Sequence, residues 1–578
     1  MADENALEGN QAQSIPPAEN LPERPKEDAP TSELKKMAKA KEKAEKQARL
    51  KAEEEARKKQ EEANDISKED YGILPTLGAQ QYESTGDKWA DLAEVAKKYS
   101  ETSSMDESGG DTIIFRARVV NVRPQSAKLA FPMFKQGFDT IQAVVAASET
   151  LSRQMVKFTT TIPNESIVLV HGVVKKPKEP VNSATISHLE IHVKKIYVEA
   201  KAEVLPMQVT DVERPLPTEG EEEAKDPEGR PVVTLNTRLN NRVIDLRGKH
   251  NRAIFTIKDG VVALFQEFLR SKGFTGIQTP KLLGAPSEGG ANVFEVTYFE
   301  KKAYLAQSPQ LYKQMLIAAG YNRVMEVGPV FRAENSNTAR HLTEFTGLDL
   351  EMEFKTNYHE VVKVLEDLML YIFKGLRERY SRETELVRSI YNVEDFKLPE
   401  SGEVPRLPWT EGIKMLREDG IEIGDFDDLS TPQEKHLGAL VLKKYGTDFY
   451  VLDKFPLAIR PFYTMPALDA PAHSTEKVED PNAGYSNSYD FFMRGQEILS
   501  GAQRIHNAEF LQKRMREGVT PVDPNSDGLR DYVNAFRYGC PPHAGGGIGL
   551  ERIVMLYLGL PNIRLASLFP RDPSRLIP

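Results

Sequence analysis

VFRAENSNTARHLTEFTGLDLEMEF, residues 330–354, reads as a β-hairpin that aims charge into one pocket. Arg332 and Glu334 stand two apart, so on a strand they share a face. The loop between the strands carries Arg340 and His341, cations suited to polyphosphate oxygens. The chain returns through TEFTGLDLEMEF, where Phe345, Asp349 and Glu351 alternate along the inward face. Arginine or phenylalanine alone on a strand is more often surface or core. Together these residues mark a site.

Working outward, NRAIFTIKDGVVALFQEFLR (251–270) predicts a helix, because Ile254, Ile257, Val261, Leu264, Phe265 and Phe268 recur at helical spacing. Gly273 is its C-terminal cap. FTGIQTPKLL (274–283) reads as a strand, and Pro280, which removes a ladder donor, places it at an edge or an interface. Further on, YDFFMRGQEILSGAQR (489–504) supplies Asp490, Glu497 and Ser500, hard oxygens of the kind that hold magnesium, with Arg504 four residues past Ser500. HAGGGIGLERIVMLYLG (543–559) reads as a glycine-rich turn opening into a helix, with Arg552 on its first turn. It lacks the Gly-Lys-Ser/Thr ending of a P-loop and the preceding strand of a dinucleotide fold, so another nucleotide geometry is needed.

Ahead of this region the chain changes character several times. Residues 1–32 hold little that is large and apolar, which predicts a disordered tail. Residues 33–63 are Lys, Ala, Glu, Arg and Gln without Gly or Pro, which predicts one polar helix. Between Lys35 and Lys51 it carries eight Lys/Arg against two acids, consistent either with a solvated helix laced by Glu/Lys pairs or with an arm that contacts phosphates. After a linker at 64–110, residues 111–200 give five short β-rich runs with one helical run between the third and fourth. That count is the oligonucleotide-binding barrel, which grips single-stranded nucleic acid on its sheet face. Phe131 and Phe134 are its candidate stacking aromatics, although an aromatic on a small barrel is more often core filling. A Pro- and Glu-rich stretch at 201–240 forms a hinge, and 241–578 is long enough for one large α+β domain.

Composition narrows the function classes. Hydrophobic residues make up 40% and charged residues 28%, and no apolar run is long enough to span a membrane. The acidic start predicts no export or organelle signal, and a lone Cys540 excludes an internal disulfide and suits a reducing, cytoplasmic setting. A net charge of −10 means that any nucleic-acid binding is local rather than through bulk positive charge.

FTGIQTPKL, VFRAEN with the RHLTEF hairpin, and GIGLERIVM, in that order, resemble motifs 1, 2 and 3 of the class II aminoacyl-tRNA synthetases. GAPSEGGANVFEV, YLAQSPQLYKQ, SNSYDFFMRG and EILSGAQRIH resemble the aspartate-specific branch in its eukaryotic and archaeal form, from about Phe115 to the C-terminus. The resemblance implies a six-stranded antiparallel sheet flanked by helices and a homodimer formed through motif 1, with Pro280 at the interface. It implies ATP and aspartate as substrates, Mg2+ as cofactor and tRNA(Asp) as partner. Arg332, Glu497 and Arg552 would be catalytic. Glu334, Arg340, His341, Leu342, Phe345, Gly549, Leu550 and Glu551 would complete the ATP site, and Asp490, Glu497 and Ser500 would hold the metal. Glu288, Gln310, Lys313, Arg332, Ser500 and Arg504 would receive aspartate, with Arg504 forked on its side-chain carboxylate. In the barrel, Phe131, Gln142, Ser183 and Glu190 would read the anticodon. Residues 466–485 are longer than the family form and predict a mobile surface insertion. Two rivals remain: a catalytically silent paralogue, and the same fold serving asparagine.

Overall fold

The computed structural model describes residues 39–51, 53, 63, 65–74, 89–100, 109–216, 232–287, 292–391 and 393–578. The predicted tail at 1–32 and Glu288 lie outside these residues, as do parts of the predicted helix, linker and hinge. Residues 39–51 are helical and exposed throughout, with Arg49 bonded to Glu53 at 2.9 Å. The chain divides into two compact units, Met1–Val204 and Leu205–Pro578.

In the first unit five strands close on themselves, and a sixth, Tyr71–Ile73 from the predicted linker, adds parallel to the outside of Glu190–Ala200. Thr112–Ser126, Leu129–Gln136 and Asp139–Ala146 form an antiparallel meander. Asp139–Ala146 runs parallel to Glu190–Ala200, which pairs antiparallel with Ile167–Lys175, and that strand returns to Thr112–Ser126. Closure removes both sheet edges, and the alternating inward residues fill the interior. Helix Arg153–Thr160, N-capped by Ser152, plugs the barrel with Met155 and Val156. Phe134 belongs to this core, edge-on to Phe115 at 5.9 Å, whereas Phe131 is only half-buried. The two candidate aromatics therefore have different jobs.

The second unit is built on an eight-stranded sheet. Its order is Arg406–Pro408, Phe449–Asp453, Ser488–Met493, Gln496–Gln503, His543–Gly549, Glu344–Glu353, Arg323–Phe331 and Thr275–Gly276. The six inner strands pair antiparallel, and a short parallel strand flanks them at each end. Helices Lys249–Ser271 and His359–Arg379 pack together beside it. The predicted helical stripe is buried, and Gly273 at φ +81° lets Phe274 N–H reach Leu269 O at 3.0 Å, which closes the helix end.

Three local expectations change. FTGIQTPKLL is not one strand: Thr275–Gly276 edges the large sheet, and Leu282–Leu283 joins a separate three-stranded sheet. Between them Thr279 N–H and hydroxyl, together with Lys281, bond the Glu326 carboxylate, so side-chain partners replace the ladder around Pro280. HAGGGIG is not a turn but a fully paired inner strand. Gly545 is there for space, because a Cβ on it would lie 2.2 Å from Leu350 O and 2.3 Å from a Glu351 carboxylate oxygen. Finally, residues 466–485 are anchored. Lys513 donates to Ala472 and Ser474 carbonyls, Arg514 donates to Pro481 O at 2.9 Å, and the His473 ring stacks on Phe510 at 5.2 Å.

Candidate active site

A cavity of about 660 Å³ opens over the middle of the large sheet. Gln307, Gln310, Arg332, Glu334, Arg340, His341, Leu342, Phe345, Glu497, Ser500, Arg504, Gly549, Glu551 and Arg552 line it. The structure thus gathers residues more than 200 positions apart that the sequence offered separately.

One end gathers Arg332, which is exposed, with Arg340, His341 and Arg552, which are half-buried. The strand stops at Phe331, so Arg332 and Glu334 sit just past it and do not share a strand face, although Arg332 N–H still reaches Thr343 O at 2.9 Å. The Arg332 side chain is 50% exposed, touches Glu334 only at 4.0 Å, and lies 5.5 Å from the Phe345 ring centre. A guanidinium so lightly held is available to an anion. Arg552, on the first turn of helix Leu550–Leu558, donates to Glu497 O at 3.0 Å. Leu550 is buried behind the wall, and Glu551 bonds Lys258 at 2.7 Å and Thr346 N–H at 3.0 Å, so it braces the hairpin. His341 was expected as a cation. Burial, with Arg340, Arg552 and Arg332 nearby, pulls its pKa down despite Glu334, which disfavours the charged ring.

The other end is a buried polar lattice. Arg504 Nε donates to Glu351 at 3.1 Å, and Lys313 Nζ, on helix Gln310–Ala318, bonds Asp349 at 2.9 Å with Glu351 at 3.7 Å. Lys313 therefore sits beneath Asp349 and not on the cavity wall. Burial alone would raise the Glu351 carboxyl, but Arg504 and Lys313 outweigh it and hold the group below its usual range. Gln310 Nε2 donates to Glu351 and, at 3.2 Å, to Gln314 Oε1. His543 Nδ1 faces Pro541 O at 2.8 Å, and a carbonyl only accepts, so Nδ1 carries the proton and Nε2 accepts from Gln314 at 3.1 Å. Burial pushes the His543 pKa down to about 4, which keeps this chain of donors running in one direction.

Between the ends lie Glu497 and Ser500, with Asp490 buried behind the wall. Asp490 and Ser500 are cross-strand partners. A bulge at Ile498 inserts one residue, so Glu497 and Ser500, three apart, both reach the cavity. Asp490 Oδ1 is buried without a partner, and among the described residues no three His, Cys, Asp or Glu side chains cluster around a metal position. Two carboxylates and a hydroxyl with one orphaned oxygen are a donor set that suits a hard, partly hydrated ion such as magnesium.

Sequence reasoning missed four residues here. Arg460 donates to Asp490 at 2.7 Å and to Ser500 at 3.1 Å from a loop with no periodicity to expose it. Gln314 and His543 form the donor chain above. Glu434, in the first turn of helix Thr431–Tyr445, is pushed up to about 7, first by burial and then by Glu497.

The barrel presents a second surface. Arg123 lies 5.1 Å from the Phe131 ring centre and 3.5 Å from Gln142 Oε1, Gln142 pairs in register with Glu190, and Ser183 is exposed on the preceding loop.

Residues 234–573 match the family model described as tRNA synthetases class II (D, K and N). The chain is 50% identical over 519 residues to the human protein named aspartate–tRNA ligase, cytoplasmic, covering 89% of this chain and 96% of that one. It is 50% identical over 464 residues to the Caenorhabditis elegans protein of the same name, covering 80% and 84%. Among solved structures, the aspartyl tRNA synthetase of Entamoeba histolytica superposes with a TM-score of 0.75 at 46% identity, over 88% of this chain and 96% of that one.

Proposed function

This chain belongs to the class II tRNA synthetases of the D, K and N group, and from that premise we infer that it is a cytoplasmic aspartate–tRNA ligase. It uses ATP to activate L-aspartate as aspartyl-adenylate, releases pyrophosphate, and transfers aspartate to the 3′ end of tRNA(Asp).

The observation that carries the substrate is the buried Arg504 guanidinium on the cavity wall. Lys313 is matched by Asp349 and Arg504 by Glu351, and Arg504 also lines the cavity. Its guanidinium meets a side-chain carboxylate with opposite charge, whereas an amide brings none and a lysine ammonium is repelled. Arg504 takes the carboxylate, while Gln310 and Glu288 address the ammonium. A buried cation of this kind also speaks against a silent paralogue, which has no need of it.

At the exposed end Arg332 meets the α-phosphate and the reacting carboxylate. Its guanidinium neutralises charge as the substrate carboxylate attacks phosphorus in line. Phe345 and Arg552 hold the adenine between them, Arg340 and His341 meet the outer phosphates, and a bound phosphate raises His341 towards its charged form. Asp490, Glu497 and Ser500 hold magnesium, whose chemistry is to neutralise polyphosphate charge. No protein nucleophile is required: the terminal ribose hydroxyl of the tRNA attacks the mixed anhydride directly.

Residues 111–200 serve as an oligonucleotide-binding barrel in which Phe131 stacks on an anticodon base and Gln142, Ser183 and Glu190 read base edges. The basic 33–63 arm adds phosphate contacts, 201–240 is the hinge, and 241–578 is the catalytic domain. A homodimer is supported by exposed Pro280 and by the small sheet after it, which exposes Leu282, Tyr298 and Phe299.

Arg332→Ala tests the assignment: aspartate-dependent pyrophosphate exchange should fall by ~10²-fold or more, with an unchanged melting temperature because the side chain is half exposed. Near-normal exchange would remove Arg332 from the reaction.

A further inference from the structure

Arg460 lies outside every motif and yet occupies the metal site's donors. Its guanidinium donates to Asp490 Oδ2 at 2.7 Å and to the Ser500 hydroxyl at 3.1 Å, which are two of the three groups assigned to magnesium. It is not a passing surface contact. The side chain is 11% exposed and stacks 4.0 Å from the Phe455 ring centre, held by a single 3-10 turn at Leu457–Ile459. Asp490 is buried, and only one of its oxygens is bonded; Oδ1 is left without a partner.

The charges at this spot close without any ion. Asp490, Glu497 and the neighbouring Glu434 stand against three guanidiniums: Arg460 beside Asp490, Arg552 bonded to the Glu497 carbonyl, and Arg340. A bare divalent cation approaching this site meets no net attraction and an adjacent guanidinium that repels it. ATP brings several negative charges to the same place and reverses that balance.

We propose that Arg460 is an internal counter-cation that makes divalent-metal binding at Asp490 conditional on bound nucleotide. It is a positioning residue: it fixes Asp490 through Oδ2, leaves Oδ1 for the ion, and raises the cost of loading metal onto an empty site. The inference rests on the reading that Asp490, Glu497 and Ser500 hold magnesium.

The test is Mn2+ titration of the full chain, followed by electron paramagnetic resonance of the free ion, with and without α,β-methylene-ATP. Wild type should bind Mn2+ at the site at least ~10-fold more tightly with the analogue than without it, and equal affinities would overturn the proposal without recourse to any variant. Without nucleotide, Arg460→Gln should tighten Mn2+ binding by ~10-fold or more, while Arg460→Lys, which keeps the charge, should stay within ~3-fold of wild type. With the analogue present, the gap between Arg460→Gln and wild type should shrink to under ~3-fold. Equal nucleotide-free affinity in wild type and Arg460→Gln would overturn the role of Arg460 while leaving the metal site standing. Asp490→Asn binding Mn2+ and analogue as well as wild type would instead overturn the metal site itself.

Discussion

Gly545→Ala adds one methyl group to an inner strand, and the structure places that methyl where nothing can move cheaply. The new Cβ would stand 2.2 Å from Leu350 O and 2.3 Å from Glu351 Oε2, against ordinary contacts of about 3.4 Å and more. Leu350 O belongs to a neighbouring inner strand, and Glu351 is fully buried and holds Arg504. If the sheet alone yields, the cost is that of overpacking, ~1 to 3 kcal/mol. If Glu351 swings off Arg504 and Lys313, two cations lose a buried partner and the cost is nearer ~3 to 5 kcal/mol. In either case Arg504 moves, so aspartate KM should rise by ~10-fold or more, since ~1.4 kcal/mol of lost binding is a factor of ten. Gly546→Ala is the milder comparison on the same strand: its Cβ meets Leu499 Cδ2 at 3.2 Å and Ser500 O at 3.3 Å, farther than either contact at Gly545. Urea melts and aspartate-dependent exchange on both variants decide the matter. Equal stability and equal KM in the two would refute the claim that Gly545 makes room for a buried carboxylate.

The two barrel phenylalanines separate binding from folding. Phe131→Ala should lose ~1 to 3 kcal/mol of tRNA affinity with an unchanged urea midpoint, and Phe134→Ala should cost ~3 to 5 kcal/mol of unfolding free energy. Equal damage to stability would place Phe131 in the core. Glu434 gives a pH signature. Its folded-state pKa is raised from 4.5 to about 7, so the folded chain holds a proton that the unfolded chain releases, and stability falls as pH rises through that window. Glu434→Gln should flatten that slope in nucleotide-free protein; melting curves at pH 5.5 and pH 8 that match wild type would show that Glu434 does not titrate there.

Much of this molecule was legible because periodicity and register are local. The 251–270 stripe and the first barrel run repeat a burial pattern along a few turns or residue pairs, whereas the return strand of the 330–354 hairpin forms where expected but is buried on both faces from Gly347 to Met352. What stayed hidden depends on the partner across the sheet. HAGGGIG looks like a turn because glycine usually signals one; only the neighbouring Asp349 and Glu351 explain why side chains are excluded there. Lys313 reads as a substrate ligand from its motif, but helix Gln310–Ala318 sets it beneath Asp349. Arg460 sits on an irregular loop 30 residues before Asp490, so no spacing rule connects them. The 466–485 segment is held by Lys513, Arg514 and Phe510, residues that carry no mark in sequence of what they hold.

The central claim is that the buried Arg504 guanidinium selects aspartate for activation by ATP. Pyrophosphate exchange into ATP with magnesium and without tRNA, run with aspartate, asparagine and lysine, tests it most directly. The account predicts exchange with aspartate alone; exchange with asparagine at a comparable rate, or with none of the three, would contradict it.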